Sequence, residues 1–208
     1  MQLHKRDVVL AATAILDSYG IADLTMRRLA RELDITPGAL YWHFTSKQQL
    51  LGAVADELLR SVWSDPQLAA GTDWRHRVST VCTRMREALL SHTDGAELVS
   101  ASFAAGQSHG AGEVLALLTE TAAEAGLDRE HAALAARTVV YYVLGATADE
   151  QSRRQWDAAG ALSDASAPAA GFDFGLRLLI DGLAAQSVQP EPSVADQVLE
   201  TFVTVPPS

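Results

Sequence analysis

Apolar positions along this chain recur at helical spacing almost throughout. Val8, Val9, Ala12, Ile15 and Leu16 form one stripe over residues 4–19, and Gly20 closes it. Met26, Leu29, Ala30 and Leu33 repeat the spacing behind Thr25, whose hydroxyl suits a helix cap. Asp34-Ile35-Thr36 interrupts that helix. Thr36 followed by Pro37 is then a start signal, because proline at the first helical position gives up no hydrogen bond. The helix this predicts, 38–43, has under two turns, and Thr45 or Ser46 caps its successor. One continuous longer helix follows, carrying Leu50, Leu51, Val54, Leu58 and Val62 before Pro66 and Gly71 end it.

Further along, the pattern predicts a helix over 74–91 behind Asp73, with Val78, Val81, Cys82, Met85, Leu89 and Leu90 inward. Helices over 96–103, 113–125 and 128–156 follow, the second stopped by Gly126 and the third capped by Asp128. Segments 104–112 and 157–171 are rich in small residues and read as mobile loops. The last strong helix, 172–186, shows an apolar face of Phe174, Leu178, Leu179 and Leu183 with Gly175 and Gly182. Prolines 190, 192, 206 and 207 surround one short helix over 194–202. The expected fold class is all-α.

Two short helices joined by a tight turn, the second opening on small residues, form the pattern of a DNA-reading helix-turn-helix. Pro37, Gly38 and Ala39 are too small to hold a backbone away from a base edge. Tyr41, Trp42 and His43 place a hydroxyl, an indole N–H and an imidazole on a helix too short to bury all three, while Leu40 and Phe44 are assigned to the core. Lys47 stands at a helix start, where a phosphate also meets unsatisfied N–H groups. The expected division is a DNA-binding unit over 1–46, a connecting helix over 47–66, and a C-terminal helical unit over 67–208.

Charge adds a constraint. The 208 residues carry a net charge of −10, which looks wrong for a DNA binder. Residues 1–60 hold seven basic and seven acidic side chains, so the whole surplus lies beyond them. An acidic body repels DNA while Arg27, Arg28 and Lys47 cluster on the face that meets it. One cysteine, Cys82, allows no internal disulfide and fits a reducing, cytoplasmic setting. Asp7 and Asp17 flank only nine apolar or small residues, which argues against a signal peptide, and no stretch nears the roughly 20 apolar residues of a membrane span.

The segment 24–51 closely resembles the DNA-binding domain of the tetracycline-repressor (TetR) family of bacterial transcription regulators. Leu24-Thr25-Met26-Arg27-Arg28-Leu29-Ala30 is similar to that family's second helix and Ala39-Leu40-Tyr41-Trp42-His43-Phe44 to its third. By matching position, the resemblance makes Arg27, Pro37, Gly38 and Ala39 base readers. It makes Thr25, Thr36, Tyr41, His43 and Lys47 phosphate contacts, some of which also touch bases. A glutamine of the tetracycline repressors has no counterpart here, where Pro37 stands, so a different operator sequence is expected. Arg86-Glu87-Ala88-Leu89-Leu90 with Asp94-Gly95-Ala96, and Leu144-Gly145-Ala146 with Asp149-Glu150-Gln151, extend the resemblance to the ligand-binding domain. It implies a homodimer through the two late helices on an inverted-repeat operator in double-stranded DNA. It also implies a small-molecule pocket at Trp63, Val81, Met85, Val99, Phe103, Leu115, Tyr141 and Asp149. Val99 replaces the family's metal-coordinating histidine, and Phe103 and Val81 replace an arginine and an amide. A small hydrophobic effector is therefore expected, not a magnesium chelate.

An enzyme finds no support: no Gly-x-Ser-x-Gly, phosphate-binding glycine loop or paired-cysteine motif is present, and no cofactor is expected. A capped helix start explains His92, Asp94 and Glu97 better than a metal site does. The expected function is a ligand-responsive repressor. An activator of the same fold, or a non-catalytic small-molecule-binding protein, is the alternative.

Overall fold

Capping chemistry sets where the first helices begin and end. The protein is described by a computed structural model over residues 3–64, 73–158 and 168–186, and every regular element there is a helix. In α1 (Lys5–Tyr19) the His4 N–H donates to Asp7 Oδ2 at 2.9 Å, and the predicted stripe is buried. Thr25 caps α2 (Met26–Glu32) and Thr36 caps α3 (Pro37–Tyr41), each accepting a backbone N–H three residues on. Between them Asp34 takes a left-handed conformation (φ 52°), and Ile35 N–H returns to the Ala30 carbonyl at 3.0 Å. That closes the C-terminus of α2 and turns the chain into α3. Ser46 caps α4 (Lys47–Leu58).

The long helix expected from residue 46 to Pro66 is broken instead. Leu59 (φ −88°, ψ 0°) ends α4, and a single turn, α5 (Arg60–Trp63), follows. No glycine or proline marks the break, and Leu59 is fully buried. Pro66 and Gly71 lie outside the described residues.

The body comprises α6 (Trp74–Leu90), α7 (Gly95–Ala104), α8 (His109–Glu124), α9 (Arg129–Ala158) and α10 (Pro168–Gln186). The loop expected over 104–112 shrinks to 105–108. Ser108 Oγ accepts the Ala111 N–H at 3.0 Å and starts α8 early. The loop expected over 157–171 is shorter at both ends, since α9 runs on to Ala158 and α10 opens at Pro168. The helix expected over 194–202 lies outside the described residues. Helix α9 packs against α6, α7, α8 and α10, while α4 packs against α1, α7 and α8 and so ties the N-terminal unit to the body. Leu90 is half-buried and not fully inward.

In α10 the inner face is Phe172, Leu176 and Ile180, all buried. The apolar face read from sequence looks outward, with Phe174 and Leu178 each 58% exposed and Leu179 and Leu183 half-buried. Two arginines on α6 reach carboxylates of neighbouring helices. Arg77 meets Glu124 at 2.7 Å, and Arg86 meets the 4%-exposed Glu150 at 2.7 Å, with Arg154 on the other oxygen of Glu150 at 2.6 Å. The sequence pattern pointed to neither pair.

Candidate nucleic-acid interface and the interior of the body

Helix α3 divides its side chains cleanly. Leu40 is fully buried and Phe44, just beyond the helix, nearly so; each contributes about 1.5–3 kcal/mol to the N-terminal core. Trp42, between them, is 90% exposed and Tyr41 48% exposed. The two leave an exposed aromatic pair at the end of α3. Thr25, Arg27, Thr36, Pro37 and Gly38 are also exposed, and Ala39, His43 and Lys47 are half-buried. The Thr25 and Thr36 hydroxyls accept backbone N–H groups at 3.1 and 3.2 Å, which leaves each O–H free to donate to a phosphate oxygen. At Gly38 an added Cβ would meet nothing nearer than Thr36 Oγ1 at 3.9 Å. The fold itself therefore tolerates a side chain there.

Positive charge is arranged differently from the sequence expectation. Arg27 makes no ion pair among the described residues. Arg28 does not join it: its guanidinium binds Asp23 at 2.6 Å and lies 3.7 Å above the Tyr19 ring. Lys5, absent from the expected set, places its ammonium 5.7 Å from the centre of the Phe44 ring, beside α3. Its signal was the Lys5-Arg6 pair at the head of α1, whose proximity to α3 only the folded structure reveals.

The eight expected effector contacts are divided between the core, its edge and the surface. Val81 and Met85 of α6 and Val99 of α7 are buried together in the continuous core. Trp63, Phe103 and Leu115 are half-buried at its edge. The Trp63 indole N–H donates to the Asp56 carbonyl at 3.4 Å, and its ring lies edge-on to His109. Tyr141 is 55% exposed; it stands edge-on to Phe103 and accepts from Arg137 at 3.2 Å. Asp149 points outward to Arg153 at 2.8 Å, while the next residue, Glu150, points inward, as the 100° step of a helix requires. A groove of about 880 Å³ does open elsewhere, between α9 and α10, over Leu134, Val139, Leu178 and Leu183. It includes none of the eight. Burial pushes the Cys82 thiol up to about 12, so it stays protonated and unreactive. Among the described residues no three potential ligands gather as a metal site; His92 instead faces Asp17 at 3.0 Å.

Two short capped helices, with an exposed aromatic pair and cations on the second helix's side, define a helix-turn-helix transcription regulator. Residues 8–54 match the family model for bacterial regulatory proteins of the tetR family, and residues 65–169 match the tetracyclin repressor-like C-terminal domain. The chain belongs to the TetR family, a family of DNA-binding regulators and not of enzymes. Over 201 residues it is 31% identical to the class A tetracycline repressor protein from transposon 1721 of Escherichia coli, covering 88% of this chain and 91% of that one. The crystal structure of Mycobacterium smegmatis BioQ is 61% identical with a TM-score of 0.83, covering 88% of this chain and 99% of that one. A structure of BioQ with its natural double-stranded DNA operator is 59% identical, with a TM-score of 0.78 and the same coverage. No helix among the described residues is long and apolar enough to cross a membrane.

Proposed function

We propose that this protein is a cytoplasmic repressor that binds an inverted-repeat operator as a homodimer and is released by a small hydrophobic molecule. The observation that carries the reading is the division of α3: Leu40 and Phe44 inward, Tyr41 and Trp42 outward, with Gly38 unhindered. Such a helix has a buried anchor and an open face fit for a major groove. Arg27, Pro37, Gly38 and Ala39 read bases in this proposal, and Thr25, Thr36, Tyr41, Trp42, His43 and Lys47 hold the backbone. The similarity to BioQ, whose structure was solved with its operator, supports a DNA target.

The dimer reading is supported by Leu134, Tyr141 and Trp156 of α9 and Phe174 and Leu178 of α10, all large, apolar or aromatic, and exposed in a single chain. The effector reading is supported by the buried apolar side chains of Val81, Met85 and Val99, none of which offers an oxygen ligand to a hard cation. Ligand entry must rearrange this packing, and α4 is the element that carries the change. Gly52 lies so close to the Gln107 carbonyl that an added Cβ would sit 2.1 Å from it. Asp56 accepts the Ser108 hydroxyl at 2.7 Å and the Gly110 N–H at 2.8 Å. Motion at the start of α8 would therefore move α4 and, through its packing on α1, the helix-turn-helix.

Binding of duplex DNA by the parent and by Arg27→Ala, Tyr41→Ala and Lys47→Ala tests the DNA part. Tyr41→Ala and Lys47→Ala should weaken binding to every sequence, and Lys47→Ala should lower the salt slope by about 1. Arg27→Ala should relax preference at particular bases. Parent-like binding by all three variants would overturn the reading.

A further inference from the structure

Helix α9 reaches the reading head by a route separate from α4. Near its end the Gln151 amide satisfies three backbone groups of the turn between α6 and α7. Its Nε2 donates to the Leu89 and His92 carbonyls at 3.0 and 2.7 Å, and its Oε1 accepts the Ala96 N–H at 3.0 Å. One turn on, Gln155 Nε2 donates to Asp94 Oδ1 at 2.9 Å. The other oxygen of Asp94 accepts the Ile21 N–H at 3.0 Å, at the junction of α1 and α2. Two flanking residues fasten the same turn to α1: His92 Nδ1 meets the Asp17 carboxylate at 3.0 Å, and the Thr93 hydroxyl donates to the Asp17 carbonyl at 2.9 Å.

The backbone is shaped for this contact on both sides. Asp94 has φ 52°, a conformation that Asp and Asn tolerate better than most residues. Opposite it, Gly20 has φ 79°, and a Cβ there would lie 2.6 Å from Asp94 Oδ2. Gly95 is equally confined, since its Cβ would meet the Leu89 carbonyl at 2.5 Å. Asp94 thus bridges Gln155 of α9 to the start of the helix-turn-helix, beside the ties that His92 and Thr93 make to Asp17.

We propose that Asp94, braced by Gln155, is a positioning residue for DNA reading: it fixes the angle between α9 and the head, and so the half-site spacing that a dimer accepts. This rests on the homodimer reading above, in which α9 lies at the two-fold interface. Heads held rigidly to that interface meet DNA at one separation and one rotational phase. Adding one base pair shifts a half-site by about 3.4 Å and by about 35° around the duplex. Heads loosened at Asp94 tolerate both shifts.

The test uses the full chain, its mass in solution, and duplexes that carry the half-sites it selects at graded separations. The parent should be a dimer and should prefer one spacing over the next longer by about tenfold. Asp94→Asn keeps the left-handed turn but can no longer accept from both Ile21 and Gln155; Gln155→Leu removes the brace alone. In both, the spacing preference should fall to within about threefold, with affinity for a single half-site and the thermal midpoint near the parent's. A monomeric parent would overturn the dimer reading and this role with it. A dimeric parent whose variants keep its spacing preference, or lose affinity equally at every spacing and at the single half-site, would overturn the positioning role alone. So would a dimeric parent without any spacing preference.

Discussion

The reading head and the body keep their candidate functional residues in opposite environments. In the head, Trp42 and Tyr41 stand out in solvent beside the buried Leu40 and Phe44, and Gly38 has room beside it. In the body, Val81, Met85 and Val99 are packed as tightly as any core residue, and the polar groups expected beside them, Tyr141 and Asp149, face outward. A surface that meets a large partner can be finished in advance, since nothing within the protein must move to admit DNA. An interior that receives a small molecule must give up packing first. Only a ligand that favours the altered packing can shift the equilibrium, and a change from 1:99 to 99:1 needs about 5.5 kcal/mol of preference.

The largest effect that separates the two regions is a charge placed in the body. Met85→Arg should cost several kcal/mol, because Met85 is 2% exposed and an unpaired guanidinium there loses its water. Thermal unfolding followed by circular dichroism should show the body destabilised. A variant that melts with the parent would mean the interior already holds room for a charge, and the contrast drawn above would fail.

Next in size is Leu178→Glu. Leu178 is more than half exposed in a single chain, so the substitution should spare the fold while costing the proposed dimer several kcal/mol. Light scattering should report a folded monomer; an unchanged dimer would place the interface on another face. Smaller again is Gly38→Ala. The fold has space for the methyl group, and helix propensity even favours it by up to about 1 kcal/mol. Operator affinity should nevertheless fall by about tenfold. Equal affinity would show that no base edge or phosphate approaches Gly38.

The smallest effect lies at the edge of the body. Hydrogen bonds from Arg77 hold the Glu124 carboxyl below its ordinary value of 4.5. A lowered folded-state value means the pair's contribution is fully present above that ordinary value and is lost as pH falls through the lowered one. Because Glu124 is about half exposed, Glu124→Gln should lower Tm by only about 1–2 °C at pH 7. The difference from the parent should vanish once the pH lies well below that lowered value. A difference that persists there would assign it to packing and not to charge.

How legible each region was follows from the same contrast. Thr25, Thr36-Pro37 and Ser46 are local signals, and the structure uses each as a cap where the sequence places it. The burial of Leu40 and Phe44 followed from helical spacing within one short segment. Most of what eluded sequence reasoning depended on partners outside the helix concerned. Leu59 ends α4 where the sequence carries no breaker residue, at a position fully buried in the core. Arg28 looks like Arg27 in sequence, yet Asp23 and Tyr19 take up its charge. The apolar stripe of α10 was visible, but whether it faced the core or solvent depended on Phe172, Leu176 and Ile180 competing for the inner side. The extra turn of α8 came from Ser108, a cap hidden in a glycine-rich stretch.

The central claim is that two copies of α3 read a two-fold DNA site. Sequencing the fragments that the purified protein retains from a pool of random duplexes tests it directly. The account predicts an inverted repeat whose half-sites lie about 10 base pairs apart, centre to centre, or a multiple of that. Enrichment of a motif without two-fold symmetry, or retention without any sequence preference, would contradict it.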